Sequence, residues 1–139
     1  VDARGYLGLV WKTVLAVRAQ SVTTSEPVPA FEQQLAGGIP SLRGYDVGSF
    51  AGDNLAAFSA ELLLPLTSPL HIGRFGLKLF ADSAAVYASG DALGDQRLRW
   101  GYGVGTFVNA TVFSLGVDLG WREGGGGPNA HVQFGVRLR

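Results

Sequence analysis

From Arg97 onward the chain repeats with a period of two. Leu98, Trp100, Tyr102, Val104 and Val108 alternate with Arg97, Arg99, Gly101, Gly103 and Gly105. Phe113, Leu115, Val117, Leu119 and Trp121 alternate with Ser114, Gly116, Asp118, Gly120 and Arg122. Val132, Phe134, Val136 and Leu138 alternate with His131, Gln133, Gly135 and Arg137. Successive side chains of a strand point to opposite faces, so this pattern demands strands with one apolar and one polar face. Helical periodicity is weak throughout. Only 16% of residues are charged and 47% are hydrophobic, yet no stretch approaches the ~20 apolar residues that a membrane-spanning helix needs. Glycine, at 21 of 139 residues, is well above its usual ~7% share. These features leave an all-β soluble fold or a membrane barrel, whose strands alternate sides and never show a long apolar run.

Earlier segments repeat the pattern. Tyr6 to Gln20 reads as one strand, with Leu7, Leu9, Trp11, Leu15 and Val17 on one face and Lys12, Ala16, Arg18 and Gln20 on the other. Asn54 to Leu66 places Phe58, Leu62 and Leu64 opposite Ser59 and Glu61, and Arg74 to Tyr87 places Phe75, Leu77 and Leu79 opposite Lys78 and Asp82. The count is six strands. Residues 21–53 form a long connection rich in Pro, Gly and polar residues, and connections of that length are usually functional or disordered. Long connections (21–53, 88–96, 123–129) alternate with short ones (67–73, with its Thr67-Ser68-Pro69 turn, and about 110–111), as outside loops and periplasmic turns do in outer-membrane barrels. A two-residue turn at Ala110-Thr111 pairs Asn109 with Val112 and hence Trp100 with Trp121. Nearly every charged residue within a strand falls on one face, which argues against a soluble β-sandwich.

Several chemistries are excluded. Eleven basic and eleven acidic side chains balance, so no net field attracts nucleic acid. Cysteine is absent, which removes disulfides, thiolate metal sites and cysteine nucleophiles. His71 and His131 are far apart with no further ligand cluster, so no metal is expected. Gly101-Tyr102-Gly103-Val104-Gly105 has no helix after it, and its glycines lie on the polar face of a strand, where a barrel needs room. No nucleophile elbow accompanies the serines. The sequence implies no enzyme and no cofactor. The opening Val1-Asp2-Ala3-Arg4 is no signal peptide, and the chain reads as a portion of something longer.

The segment Leu35-Ala36-Gly37-Gly38-Ile39-Pro40-Ser41-Leu42-Arg43-Gly44-Tyr45 resembles the signature of the Omp85 (bacterial surface antigen D15) superfamily, in which a long loop folds back into the barrel lumen and carries an Arg-Gly-aromatic tip. Ser59-Ala60-Glu61-Leu62 with Pro65-Leu66 resembles the next family strand, and Phe80-Ala81-Asp82 the strand after it; in both, the carboxylate faces inward. The resemblance runs from Tyr6 to Leu138. It implies an all-β fold: an antiparallel transmembrane β-barrel of sixteen strands, of which residues 1–139 supply the C-terminal six, with a long lumenal loop. It also implies that Arg43, at the tip Arg43-Gly44-Tyr45, packs between Glu61 and Asp82. Periodicity alone already sets Glu61 and Asp82 on the polar face, and an enclosed guanidinium needs such partners.

The implied setting is the bacterial cell outer membrane, with the lipid bilayer, client or secreted polypeptides, the missing N-terminal strands and periplasmic POTRA domains as partners. The implied function is insertion and assembly of outer-membrane proteins, or protein translocation across that membrane. In that mechanism the last strand, about Ala130 to Leu138, pairs imperfectly with the first and opens a lateral seam. The alternatives are a two-partner-type secretion pore, a membrane anchor for a fused passenger, or a soluble β-sandwich. Trp100, Tyr102 and Trp121 are expected at the outer interfacial belt. The ending Phe134-Gly135-Val136-Arg137-Leu138-Arg139 departs from the terminal aromatic residue usual in barrels.

Overall fold

The computed structural model describes residues 1–39, 41–68, 71 and 73–136. The chain opens with β1 (Asp2–Gly8) and β2 (Val14–Val22), followed by a small hairpin of β3 (Gln34–Ala36) and β4 (Phe50–Gly52). Then come β5 (Asn54–Thr67), β6 (Gly73–Tyr87), β7 (Arg99–Ala110), β8 (Phe113–Arg122) and β9 (Asn129–Val136). Seven of these form one antiparallel meander in the order β1-β2-β5-β6-β7-β8-β9, and β3 and β4 pair separately. The long strands therefore lie in a single sheet rather than the two packed sheets of a sandwich. Among the described residues the sheet is open, with edges at β1 and β9. Pro40 of the loop signature, Pro69 of the short turn, and Arg137, Leu138 and Arg139 of the terminal run lie outside the described residues.

Two expectations are corrected. The segment Tyr6 to Gln20 is two strands, so the sheet has seven strands and not six. Gly8 faces Val14 across a turn of residues 9–13, and an odd turn length keeps odd-numbered residues on the same face on both sides. The alternation therefore runs through the break unchanged. Leu9–Thr13 also lacks the Gly, Pro and Asn that usually mark a turn. Trp11 and Lys12 instead take φ values of 60° and 58°, a region that side chains rarely enter.

The second correction is the β7–β8 register. Asn109 faces Ser114, and Tyr102, not Trp100, faces Trp121; the turn is centred on Thr111-Val112 rather than Ala110-Thr111. The slip is two residues, so no side chain changes face.

Register sorts the side chains more sharply than the sequence pattern did. Cross-strand rows run Ser59, Asp82, Gly101, Arg122 on one face and Ala60, Ala81, Tyr102, Trp121 on the other. Every charged residue in the described part of the main sheet (Asp2, Arg4, Arg18, Glu61, Arg74, Lys78, Asp82, Arg99, Asp118 and Arg122) falls on the first face. The second face carries Leu, Val, Ala and aromatic residues, and Leu79, Trp100, Tyr102, Val132 and Phe134 on it are exposed. The chain is thus inverted with respect to a soluble domain: its apolar face looks outward, and the middle of its polar face is covered.

The cover is the connection between β2 and β5. Ala36, Leu42 and Tyr45 from it form a buried cluster with Leu55, Ala57 and Ala84 of the sheet, flanked by Phe50. The rings of Tyr45 and Phe50 meet edge to face at 5.4 Å. At the base of the loop, Asp53 accepts hydrogen bonds from the backbone N–H groups of Ser89 (3.0 Å) and Val28 (3.2 Å). Next to it, the Asn54 side chain accepts from Thr24 N–H at 2.6 Å and donates to the Ala88 carbonyl at 3.3 Å. One residue pair thereby ties two long connections to the same end of the sheet.

Candidate functional site

The loop tip reaches the middle of the polar face because that face has been cleared of side chains. Gly101 lies under the Arg43 carbonyl, so closely that a Cβ there would overlap it. A Cβ on Gly120 would come within 2.6 Å of the Gly44 nitrogen. Gly44 itself has φ +97° and packs on the Trp121 carbonyl, a conformation and a closeness that only glycine meets without strain. Of the glycine run of β7, Gly101 thus seats loop backbone, while Gly103 and Gly105 leave room for the Phe80 ring and for the Asp118 and Lys78 side chains.

On this seat the structure brings Arg43, Glu61 and Asp82 together. Arg43 Nε donates to Asp82 Oδ2 at 2.7 Å and Nη2 to Asp82 Oδ1 at 2.8 Å, a two-pronged contact. The Arg43 backbone N–H donates to the same carboxylate at 3.0 Å. Nη1 donates to Glu61 and, at 3.3 Å, to Asp118 Oδ2. Ser59 Oγ accepts from Nη2 at 3.2 Å and donates to Asp82 Oδ1 at 2.6 Å. The guanidinium also lies over the Phe80 ring, 3.8 Å from its centroid.

The electrostatics follow from burial. The side chains of Arg43, Asp82 and Asp118 are 3%, 2% and 1% exposed, while that of Glu61 keeps 28%. Burial alone pulls the Arg43 pKa down, but the hydrogen bonds and charge of Asp82, with those of Glu61, raise it above the ordinary arginine value overall. Arg43 thus stays cationic, as a fork between carboxylates requires.

Asp118, Lys78, Ser59 and the pair His131 and Asn129 belong to the site without having been singled out from the sequence. Lys78 Nζ lies 2.8 Å from Asp118 Oδ1, so the second carboxylate is shared between two cations. The Gly44 N–H donates to His131 Nε2 at 3.3 Å, and Asn129 Nδ2 donates to the Gly44 carbonyl at 2.9 Å. Alternation placed Asp118 and His131 on the polar face, but nothing in one sequence says which polar residues of β8 and β9 meet a loop some eighty residues away. Arg43 also contacts strands β5, β6 and β8 at once. Three inter-strand steps span roughly 14 Å on a flat sheet, so these short side chains converge because the sheet curls toward the loop.

Trp100, Tyr102 and Trp121 all lie on the apolar face near the end that carries the long connections. No group of three or more His, Asp or Glu residues able to hold a metal ion occurs among the described residues.

The sequence profile of the Omp85 superfamily domain matches residues 1–138. The chain is similar to the outer membrane protein assembly factor BamA of Neisseria meningitidis serogroup B (strain ATCC BAA-335 / MC58), at 31% identity over 123 residues. That match covers 70% of this chain and 15% of the relative, so the chain spans a small part of the relative's length. The charged groups of the site, three carboxylates and two cations, are engaged with one another in a single network of ion pairs. A profile match over nearly all of its length, on an antiparallel sheet with this division of faces, places the chain in the Omp85 superfamily.

Proposed function

We propose that this chain is the C-terminal wall of a sixteen-stranded barrel in the bacterial outer membrane, working in the assembly or translocation of outer-membrane proteins. The observation that carries the reading is Arg43, held on the polar face by Asp82, Glu61 and Asp118, while among the described residues of the main sheet the opposite face carries no charge. That opposite face suits acyl chains, and Trp100, Tyr102 and Trp121 suit the headgroup level above them. The covered face is the lumen, and residues 21–53 are its internal brace. Glu61 and Asp82 act as partners of the loop arginine, and neither takes part in chemistry.

In this mechanism the protein does mechanical work through hydrogen bonds. The loop stiffens strands β5 to β9, so conformational freedom concentrates at the seam where β9 meets the first strand of the closed wall. A client strand adds there through its free backbone groups, as strands add to any exposed sheet edge. The test is complementation in cells depleted of the native protein. Arg43→Ala should reach the outer membrane yet leave heat-stable porin trimers scarce. Normal trimer levels with a protease-sensitive loop would refute the brace, and recovery of the protein from the soluble fraction would refute the location.

A further inference from the structure

A second charged site lies at the end of the polar face that carries the long connections. Arg97, Arg99 and Arg122 share a cavity of about 470 Å3 with Glu123, walled by Tyr45 and Phe50 of the loop. Three guanidinium groups thus face a single carboxylate. Arg97 Nη2 lies 3.7 Å from Glu123 Oε1, and the Arg97 side chain is 78% exposed. Among the described residues neither Arg99 nor Arg122 has a carboxylate within ion-pair distance.

Both are nonetheless held in place. The Arg99 guanidinium lies over the Phe50 ring, 4.6 Å from its centroid. Arg122 Nε donates to the Gly125 carbonyl at 3.3 Å, and a Cβ at Gly126 would press within 3.1 Å of that nitrogen. An aromatic face and a carbonyl orient these cations without neutralising them. Tyr45 adds a hydroxyl: burial, then Glu123, push its pKa above the ordinary phenol value despite the three arginines, so it stays a protonated donor. Convergent donors around an uncompensated positive charge are the reverse of the Arg43 site, where carboxylates outnumber cations.

We propose that this cavity binds a phosphate-bearing anion, with Arg99 and Arg122 as its main ligands. The planar fork of arginine matches phosphate oxygens, and a phosphate monoester carries about −1.5 to −2 charge at pH 7, close to the excess of positive charge in the cavity. The anion can be a soluble phosphate or the headgroup of a phosphorylated lipid, since the site opens at the rim.

The test uses the purified protein in detergent micelles, titrated with inorganic phosphate by calorimetry. It is repeated with the protein inserted into phosphatidylcholine vesicles with and without phosphatidic acid. Saturable binding in either arm is expected, and the arm that responds identifies the source. Arg99→Gln together with Arg122→Gln should weaken it at least about tenfold, since two charge-assisted contacts are lost. Arg74→Gln, at the opposite end of the sheet, should leave it unchanged. If the double variant loses strand content, Arg99→Lys replaces it: the charge stays, the fork goes, and affinity should still fall. Absence of saturable binding in both arms overturns the proposal, as does a folded variant that binds as tightly as the parent.

Discussion

Replacing Arg43 with alanine removes the cation from a site in which two nearly inaccessible carboxylates face it. Asp82 loses both prongs of its contact (2.7 and 2.8 Å) and keeps Ser59, whereas Asp118 keeps Lys78 at 2.8 Å. Stranding one member of a buried ion pair costs about 3–5 kcal/mol, and the Asp82 carboxylate bears most of it. Glu61, at 28% exposure, recovers water when Arg43 is gone, and its coupling should fall nearer the ~0.2–1 kcal/mol typical of exposed pairs. Two double-mutant cycles, Arg43→Ala with Asp82→Asn and Arg43→Ala with Glu61→Gln, should therefore give unequal coupling, with Asp82 larger by more than ~1 kcal/mol. The assay is equilibrium unfolding of the micelle-bound protein, with proteolysis at residues 23–33 reporting loop release separately. Arg43→Lys should rescue poorly, because an ammonium cannot make the forked contact. Additivity within ~0.5 kcal/mol for both pairs, or a Glu61 coupling as large as that of Asp82, would refute the reasoning.

Other perturbations read other parts of the architecture. Gly120→Ala should expel the loop tip while strand content by circular dichroism persists, because its new methyl meets the Gly44 backbone; Gly116→Ala, whose nearest neighbour is Lys78 Nζ at 3.5 Å, should be tolerated. Leu79→Lys on the apolar face should destabilise the inserted protein by about 2–4 kcal/mol, and Gln133→Lys on the polar face should cost little; equal effects in unfolding titrations would refute the assignment of faces. Depth-resolved quenching should place Trp100 and Trp121 at the interface, and strong quenching from the bilayer midplane would count against their location. The backbone donors of Ser89 and then Val28 hold Asp53 below the usual carboxylate range. A depressed pKa contributes stability above the unfolded value of about 3.9, lost as pH falls through the lower folded value. Acid should loosen residues 23–33 first, and Asp53→Asn should abolish that step; an unchanged acid profile in hydrogen exchange would refute this.

The parts of this fold that were legible in the sequence obey a rule of parity. Alternation assigned Glu61, Asp82 and Asp118 to one face because a strand has no other way to arrange them. The same parity concealed what it could not encode. The turn at residues 9–13 preserved it, and so hid a strand; a two-residue slip in the β7–β8 hairpin preserved it too, and so moved Trp100 away from Trp121 without altering any face. The hairpin of β3 and β4 is three residues a side, too short for a period to register. Family likeness supplied the Arg43 triad. Lys78, Asp118, Asn129 and His131 were out of reach because their roles depend on the curl of the sheet, a property of many strands at once.

Both polar groups of the Gly44 peptide are taken by side chains of β9, a strand that lies more than eighty residues downstream. Chain order then dictates an order of events. The loop emerges before the surface it needs exists: Gly101, Asp118, Gly120 and finally His131 must be laid down first. Residues 34–52 can meet Leu55, Glu61 and Asp82 as soon as β5 and β6 have paired, but the Gly44 backbone stays unpartnered until the last strand is in place, so full seating of the tip waits on β9. The state of the Gly44 backbone thereby serves as an internal proofreading mark, and a chain cut short before β9 leaves both of its polar groups without the partners they have here.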